Sequence, residues 1–261
     1  MHKLLALGIC AAFVAFAATP SSAADDALVR IKSNGALRVC VAESAPMNSK
    51  DPKTNEWTGY FYSMAGNLAA SLGVKLTPVD ASWSTIVELL KAGKCDMSIA
   101  ETFVTPARAL QVLFTDPISS NSQAAFVRSD DPMASIADLN QPGKTIAVIA
   151  GAAEENQAKK LFPKATVKVL VTDRHATPLL EVASHRADAA FTALAPTMQF
   201  IAKNPNVKLR KLNKEPLFPT EAAWMVPLGE YHLQQYVGIW LHQFESSDEA
   251  KVLKAKWLTA K

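Results

Sequence analysis

The sequence predicts an α/β protein built as two lobes. Two observations carry this: a β-α-β-α-β alternation that occurs twice, and a return segment that brings the chain back after the second set. The 261 residues suit one large domain or two lobes, and 49% hydrophobic with 20% charged residues is ordinary globular composition. A net charge of +3 with no basic run excludes a nucleic-acid footprint. The five His are scattered and no zinc-type Cys cluster occurs, so no metal or cofactor is expected.

Residues 1–23 read as a signal peptide: His2 and Lys3, an apolar run from Leu4 to Ala18 that includes Cys10, then a small-residue site ending at Ala23. The expected location is therefore the periplasm, an oxidising compartment. Cys40 and Cys95 then remain, either as one disulfide or as two buried thiols.

Strand-like runs over 36–42, 74–79 and 95–100 alternate with helical patterns around Met64, Leu68 and Leu72 and around Ile86, Val87 and Leu90. The first and third strands of such a set can be neighbours, which places Cys40 beside Cys95 and favours the bridge. The alternation restarts with strands over 145–150, 167–171 and 187–191 and helices over 153–161 and 177–184. Further strands are expected over 124–128, 207–212 and 221–226. A long C-terminal helix from about Tyr231 should bury Tyr236, Ile239, Trp240 and Phe244. The crossings between lobes should lie near 120–126 and 217–224, giving lobe 1 as 24–122 and 223–261 and lobe 2 as 123–222. Ligands of open α/β sheets bind at the carboxyl ends of the strands, so facing lobes enclose a cleft that closes by hinge motion.

Six short motifs occur in order: Leu37-Arg38-Val39, Gly59 in Trp57-Thr58-Gly59-Tyr60, Trp83 with Gly93-Lys94-Cys95-Asp96, Thr105-Pro106-Ala107-Arg108, Phe114-Thr115-Asp116-Pro117 and His185-Arg186-Ala187-Asp188-Ala189. With these the chain resembles the family 3 periplasmic solute-binding proteins, receptors of polar amino-acid uptake systems. The resemblance implies the type II two-lobed binding fold and a monomer that delivers a small carboxylate-bearing solute to a membrane transporter with permease and ATPase. Cys40 and Cys95 also resemble the cyclohexadienyl dehydratase branch, in which the matching pair is bridged. An enzyme acting on prephenate or arogenate is therefore an alternative, and an accessory protein of a periplasmic enzyme or sensor is another.

Arg108 matches the residue that forks onto a ligand carboxylate in the family; a guanidinium supplies two parallel donors for that purpose. Other matching positions differ. Ala193 stands for the second-lobe acid, Phe103 for a hydroxyl residue, Glu101 for a glycine, Ala152 and Ala153 for threonines, and Phe61 for an aspartate. The expected ligand set is Arg108, Glu43, Phe61, Glu101, Phe103, Gly151, Ala152 and Thr192. Phe61 and Phe103 would give apolar contact, Gly151 a backbone donor, and Glu101 or Glu43 the missing negative charge. Pro196 falls where the dehydratase branch has its catalytic acid, and proline has no proton to give, so no catalytic residue is assigned. Glu154 and Glu155 open a helix, where the dipole favours ionised, solvated carboxylates.

Overall fold

The computed structural model describes residues 26–258, so the expected signal peptide and Cys10 lie outside the described residues. Asp26 caps the first helix, α1 (Ala27–Asn34), by accepting from Leu28 and Val29 N–H. There follow β1 (Ala36–Val41), a hairpin of β2 (Ser49–Lys50) and β3 (Trp57–Thr58), α2 (Tyr60–Ser71), β4 (Lys75–Asp80), α3 (Ile86–Lys91) and β5 (Met97–Phe103). Next come α4 (Pro106–Ala109), β6 (Val112–Phe114) and a long strand, β7 (Ser119–Arg128). The second half runs through a 3-10 turn (Ile136–Leu139), β8 (Thr145–Ile149), α5 (Ala153–Leu161), β9 (Thr166–Leu170), α6 (Thr177–Ala183), β10 (Ala189–Ala193), α7 (Leu194–Lys203) and β11 (Leu209–Lys211). The long β12 (Leu217–Pro227) returns to α8 (Tyr231–Glu245) and α9 (Asp248–Trp257).

The strand order is β4-β1-β5-β12-β7-β10-β8-β9, with β6 on β12 and β11 on β7. The outer pairs β1–β4, β1–β5, β8–β10 and β8–β9 are parallel, as the alternation requires. The two long strands are antiparallel neighbours, pairing Ser120 with Glu221 and Asn121 with Thr220. Both sides of each half-sheet are covered, and side-chain alternation along the strands shows how. Val39 and Val41 enter a core with Met64, Leu68 and Trp224, while Cys40 faces Ile86, Leu90 and Met225. Across β7, Ala125 and Val127 face Phe162 and Phe191, while Ala124 and Phe126 face Leu179 and Val182. This is the two-lobed type II binding fold, and the cysteines are bridged with their Cα atoms 5.6 Å apart.

Several elements differ from the sequence reading. The C-terminal helix breaks at Ser246–Ser247, where the Ser247 hydroxyl accepts from Ala250 N–H and starts α9. Its buried face is Leu233, Val237, Leu241 and Phe244, and Ile239 is exposed, so the stripe is rotated from the one expected. Helix α2 begins at Tyr60, four residues ahead of Met64, the first residue of the helical pattern read from the sequence. A Cβ at Gly59 would sit 2.3 Å from Met47 O, so only glycine allows this close approach, at φ +124°.

That early start moves Phe61. Expected at the ligand, it is 1% exposed in the lobe 1 core, edge-on to Trp224 with ring centroids 5.9 Å apart. Phe61→Leu should therefore lower stability by about 1–2 kcal/mol through lost packing. It should leave ligand affinity unchanged, with urea unfolding and calorimetry as the two readouts.

Candidate functional site

The site lies where strand ends of both lobes meet. Strand β5 is buried along its whole length and delivers Glu101 and Phe103 to the cleft. Phe103 packs with Ala193 and Ala222, and Ala153 closes the contact from the second lobe. Just beyond β5, the Thr105 side chain accepts from Arg108 N–H and Pro106 sits at the start of α4. This capped turn folds the Arg108 side chain back over β5. Arg108 Nη1 donates to Phe103 O at 3.0 Å, and Nη2 donates to Gly151 O in the other lobe, also at 3.0 Å. Burial lowers the guanidinium pKa and Glu154 opposes the shift. A guanidinium stays charged throughout the physiological range regardless.

One cavity, about 490 Å³ including its mouth, is lined by Arg108, Glu101, Phe103, Ala152 and Thr192 from the expected set. Ser44, Trp83 and Glu154 also line it, as do His175, Phe191 and Pro196. Three expected residues stand elsewhere. Phe61 is in the core, as described. Glu43 lines an adjoining pocket with Arg174, Ala176 and Phe200, which shares His175 and Pro196 with the cleft. Burial and the Asp173 charge raise the Glu43 pKa, and Arg174 lowers it.

Gly151 has no free donor to give. Its N–H donates to Glu155 Oε2 at 2.9 Å and its carbonyl accepts from Arg108. It serves the lobe contact instead: at φ +74°, a Cβ would lie 2.6 Å from Ser84 Cα and from Trp83 O. Gly151→Ala should cost about 1–2 kcal/mol in left-handed strain and also force the lobes apart. Small-angle scattering of the variant should show a larger radius of gyration than the parent.

Glu154 corrects the sequence reading most. Glu155 is tied to Lys159 and to the Gly151 amide, as a solvated carboxylate would be. Glu154 turns inward instead and is 6% exposed. Burial pushes its pKa up to about 6, with Glu101 adding to the rise and its own N–H and Arg108 opposing it. Glu101 is 9% exposed and accepts from Ser119 Oγ at 2.9 Å; burial also raises its pKa, against the Ser119 and Asn121 hydrogen bonds. His175 Nε2 lies 3.2 Å from Thr197 Oγ1 and 3.4 Å from Thr192 Oγ1, and burial lowers its pKa to about 4. His175 and Ser44 both follow strands at their carboxyl ends. The rule that ligands bind there was the available signal for them.

Among the described residues no group of His, Cys, Asp and Glu is arranged to hold a metal ion, and no helix is long and apolar enough to cross a membrane. Residues 37–260 match the profile of the bacterial extracellular solute-binding proteins, family 3. The chain belongs to this family. This solute-binding protein is 25% identical to a cyclohexadienyl dehydratase of Pseudomonas aeruginosa over 98% of its own length and 94% of the relative's. It is 23% identical to a putative ABC transporter arginine-binding protein of Escherichia coli, over 85% and 90% of the two chains. In three dimensions it resembles the ancestral amino acid-binding protein AncCDT-1, described as a precursor of cyclohexadienyl dehydratase. The TM-score there is 0.79 at 30% identity, covering 90% of this chain and 100% of the other.

Proposed function

We propose that this solute-binding protein captures a small, carboxylate-bearing, amino-acid-like ligand in the periplasm and hands it, as a monomer, to the permease and ATPase of an ABC-type transporter. The observation that supports this most is the Arg108 guanidinium, which stands in the inter-lobe cavity and already reaches Gly151 of the second lobe. A carboxylate placed against its fork gains two charge-assisted hydrogen bonds inside apolar walls. Those walls include Phe103, Ala152 and Phe191, with the Thr192 hydroxyl at their edge. Closure is favoured only by contacts stronger in the closed state, and a group touching both lobes provides such contacts. A thermal-shift screen of amino acids, aromatic acids and small dicarboxylates tests the reading. A true ligand at a hundred times its Kd stabilises the folded state by about 2.7 kcal/mol and raises the melting temperature accordingly. No rise with any solute would overturn the proposal.

Glu154 favours a second reading. A buried carboxyl that keeps its proton to about pH 6 is equipped as a general acid. A dehydratase expelling water and carbon dioxide needs such a donor, and Pro196 cannot be it. Incubation with prephenate or arogenate separates the readings. Binding without turnover is expected; release of phenylpyruvate or phenylalanine that disappears in Glu154→Gln would reverse the order.

A further inference from the structure

We propose that Glu101 and Glu154, one carboxylate from each lobe, together form the seat for a cationic nitrogen of the ligand. The inference rests on the reading of Arg108 as carboxylate anchor and adds what stands at the other end of the molecule. Both carboxylates line the same cavity and both are buried. Arg108 makes no direct ion pair with either: one N–H of each Nη goes to Phe103 O and Gly151 O, the remaining N–H groups stay available to a ligand carboxylate, and its charge acts on Glu154 only through space. Among the described residues, no side chain donates a hydrogen bond to Glu154; its carboxyl accepts only from its own N–H. An independent observation points to a missing ligand group: Ser44, 3% exposed, lines this cavity with its Oγ buried and unpartnered. A buried hydroxyl without a partner is rare, and a ligand polar group would satisfy it.

Two carboxylates beside Trp83, Phe103, Ile149 and Phe191 oppose each other's ionisation, and Arg108 in the same cavity offsets this only in part. A ligand nitrogen carrying positive charge removes the conflict. It binds both lobes at once and so exists as a contact only in the closed state. The counter-charge that resemblance places at residue 193 is thereby relocated: β10 ends in Thr192 and Ala193, neither charged. Its replacement comes from the start of α5 and the end of β5.

Proton linkage follows. The proton that Glu154 holds in the empty cleft competes with the ligand cation, so binding expels it. The other groups facing Glu154 do not reverse this sign. Arg108 on α4 is charged throughout, and Glu101 on β5 opposes Glu154 ionisation. Glu155 on the same helix is occupied by Lys159 and the Gly151 amide, and His175 before α6 stays neutral down to about pH 4. Affinity is therefore full above pH 6 and falls as pH drops through it, by about tenfold between pH 7 and pH 5.

The test is calorimetry on the mature protein at pH 5 and pH 7. The panel holds neutral and basic L-amino acids and their amine-free counterparts, the matching 2-hydroxy acids and dicarboxylates. Amine-bearing ligands should bind at least tenfold tighter than their amine-free counterparts and show the pH 5 loss. Glu154→Gln should flatten the pH profile and weaken those ligands, and Glu101→Gln should weaken them with folding intact by circular dichroism. If amine-free acids bind as tightly, and Arg108→Ala abolishes that binding, the cation seat is overturned and the anchor stands. A flat pH profile in the parent protein also overturns the seat. If nothing in the panel binds, both fall.

Discussion

Replacing Arg108 with alanine is expected to weaken ligand binding by 10²–10³-fold. Truncating one partner of a buried, hydrogen-bonded charge pair leaves the other charge desolvated, which costs about 3–4 kcal/mol. The cleft makes this loss hard to repair. Its walls at Trp83, Phe103, Ile149 and Phe191 offer a stranded carboxylate only the Trp83 indole N–H, and the neutral hydroxyls of Ser44 and Thr192 supply no compensating charge. Arg108→Lys separates charge from geometry. An ammonium keeps the charge but cannot fork onto two oxygens, nor reach Phe103 O and Gly151 O together as the guanidinium does. We expect Arg108→Lys to recover only part of the affinity. Since Arg108 also links the lobes through Gly151 O, scattering should show Arg108→Ala more open than the parent before ligand is added. Unchanged affinity in Arg108→Ala, measured by calorimetry, would remove the anchor from the mechanism.

The fold was legible because local patterns and tertiary environment agree along most of the chain. Gly35, Gly73 and Gly93 end helical segments at positive φ, as stop signals should. The runs between them alternate in the way a sheet covered on both faces demands. Legibility failed where a local signal pointed the wrong way. No helix was expected between the strands at 187–191 and 207–212, yet α7 fills that segment, with Pro196 as its third residue, inside the first turn where its missing N–H costs nothing. In the C-terminal helix, Tyr236-Ile239-Trp240 and Leu233-Val237-Leu241 are both plausible stripes, and only packing selects between them. Arg108 was singled out by resemblance, through the Thr105-Pro106-Ala107-Arg108 motif, and the structure places it in the cavity lining. Glu154 was not: consecutive residues project about 100° apart on a helix, and nothing in Glu154-Glu155 says which one faces the cavity. The deciding contact, Glu155 to the Gly151 amide, is visible only in three dimensions.

Removal of the disulfide should cost about 4 kcal/mol of stability. The bridge closes a loop with a sequence separation of 55, and loop-closure entropy of that length gives roughly this value. The loop holds α2, β4 and α3, most of the first alternating set, so its reduction frees a large part of lobe 1 in the unfolded chain. Cys40→Ala/Cys95→Ala is the better variant than serine, because both residues are at most 1% exposed in an apolar cluster with Ile86 and Leu90. Two buried hydroxyls would add their own penalty. For a chain of this size the melting temperature should fall by about 8–16 °C. Ligand affinity at 25 °C should change little by comparison. Strand β5 is held in place on both sides without the bridge: Asp96 N–H donates to Arg38 O at 2.8 Å, Val39 pairs with Met97, and Phe103 pairs with Ala222 of β12. Glu101 and Phe103 therefore keep their positions once the chain has folded. A variant that lost affinity as steeply as stability would instead mean that the bridge sets the strand end that carries the cleft.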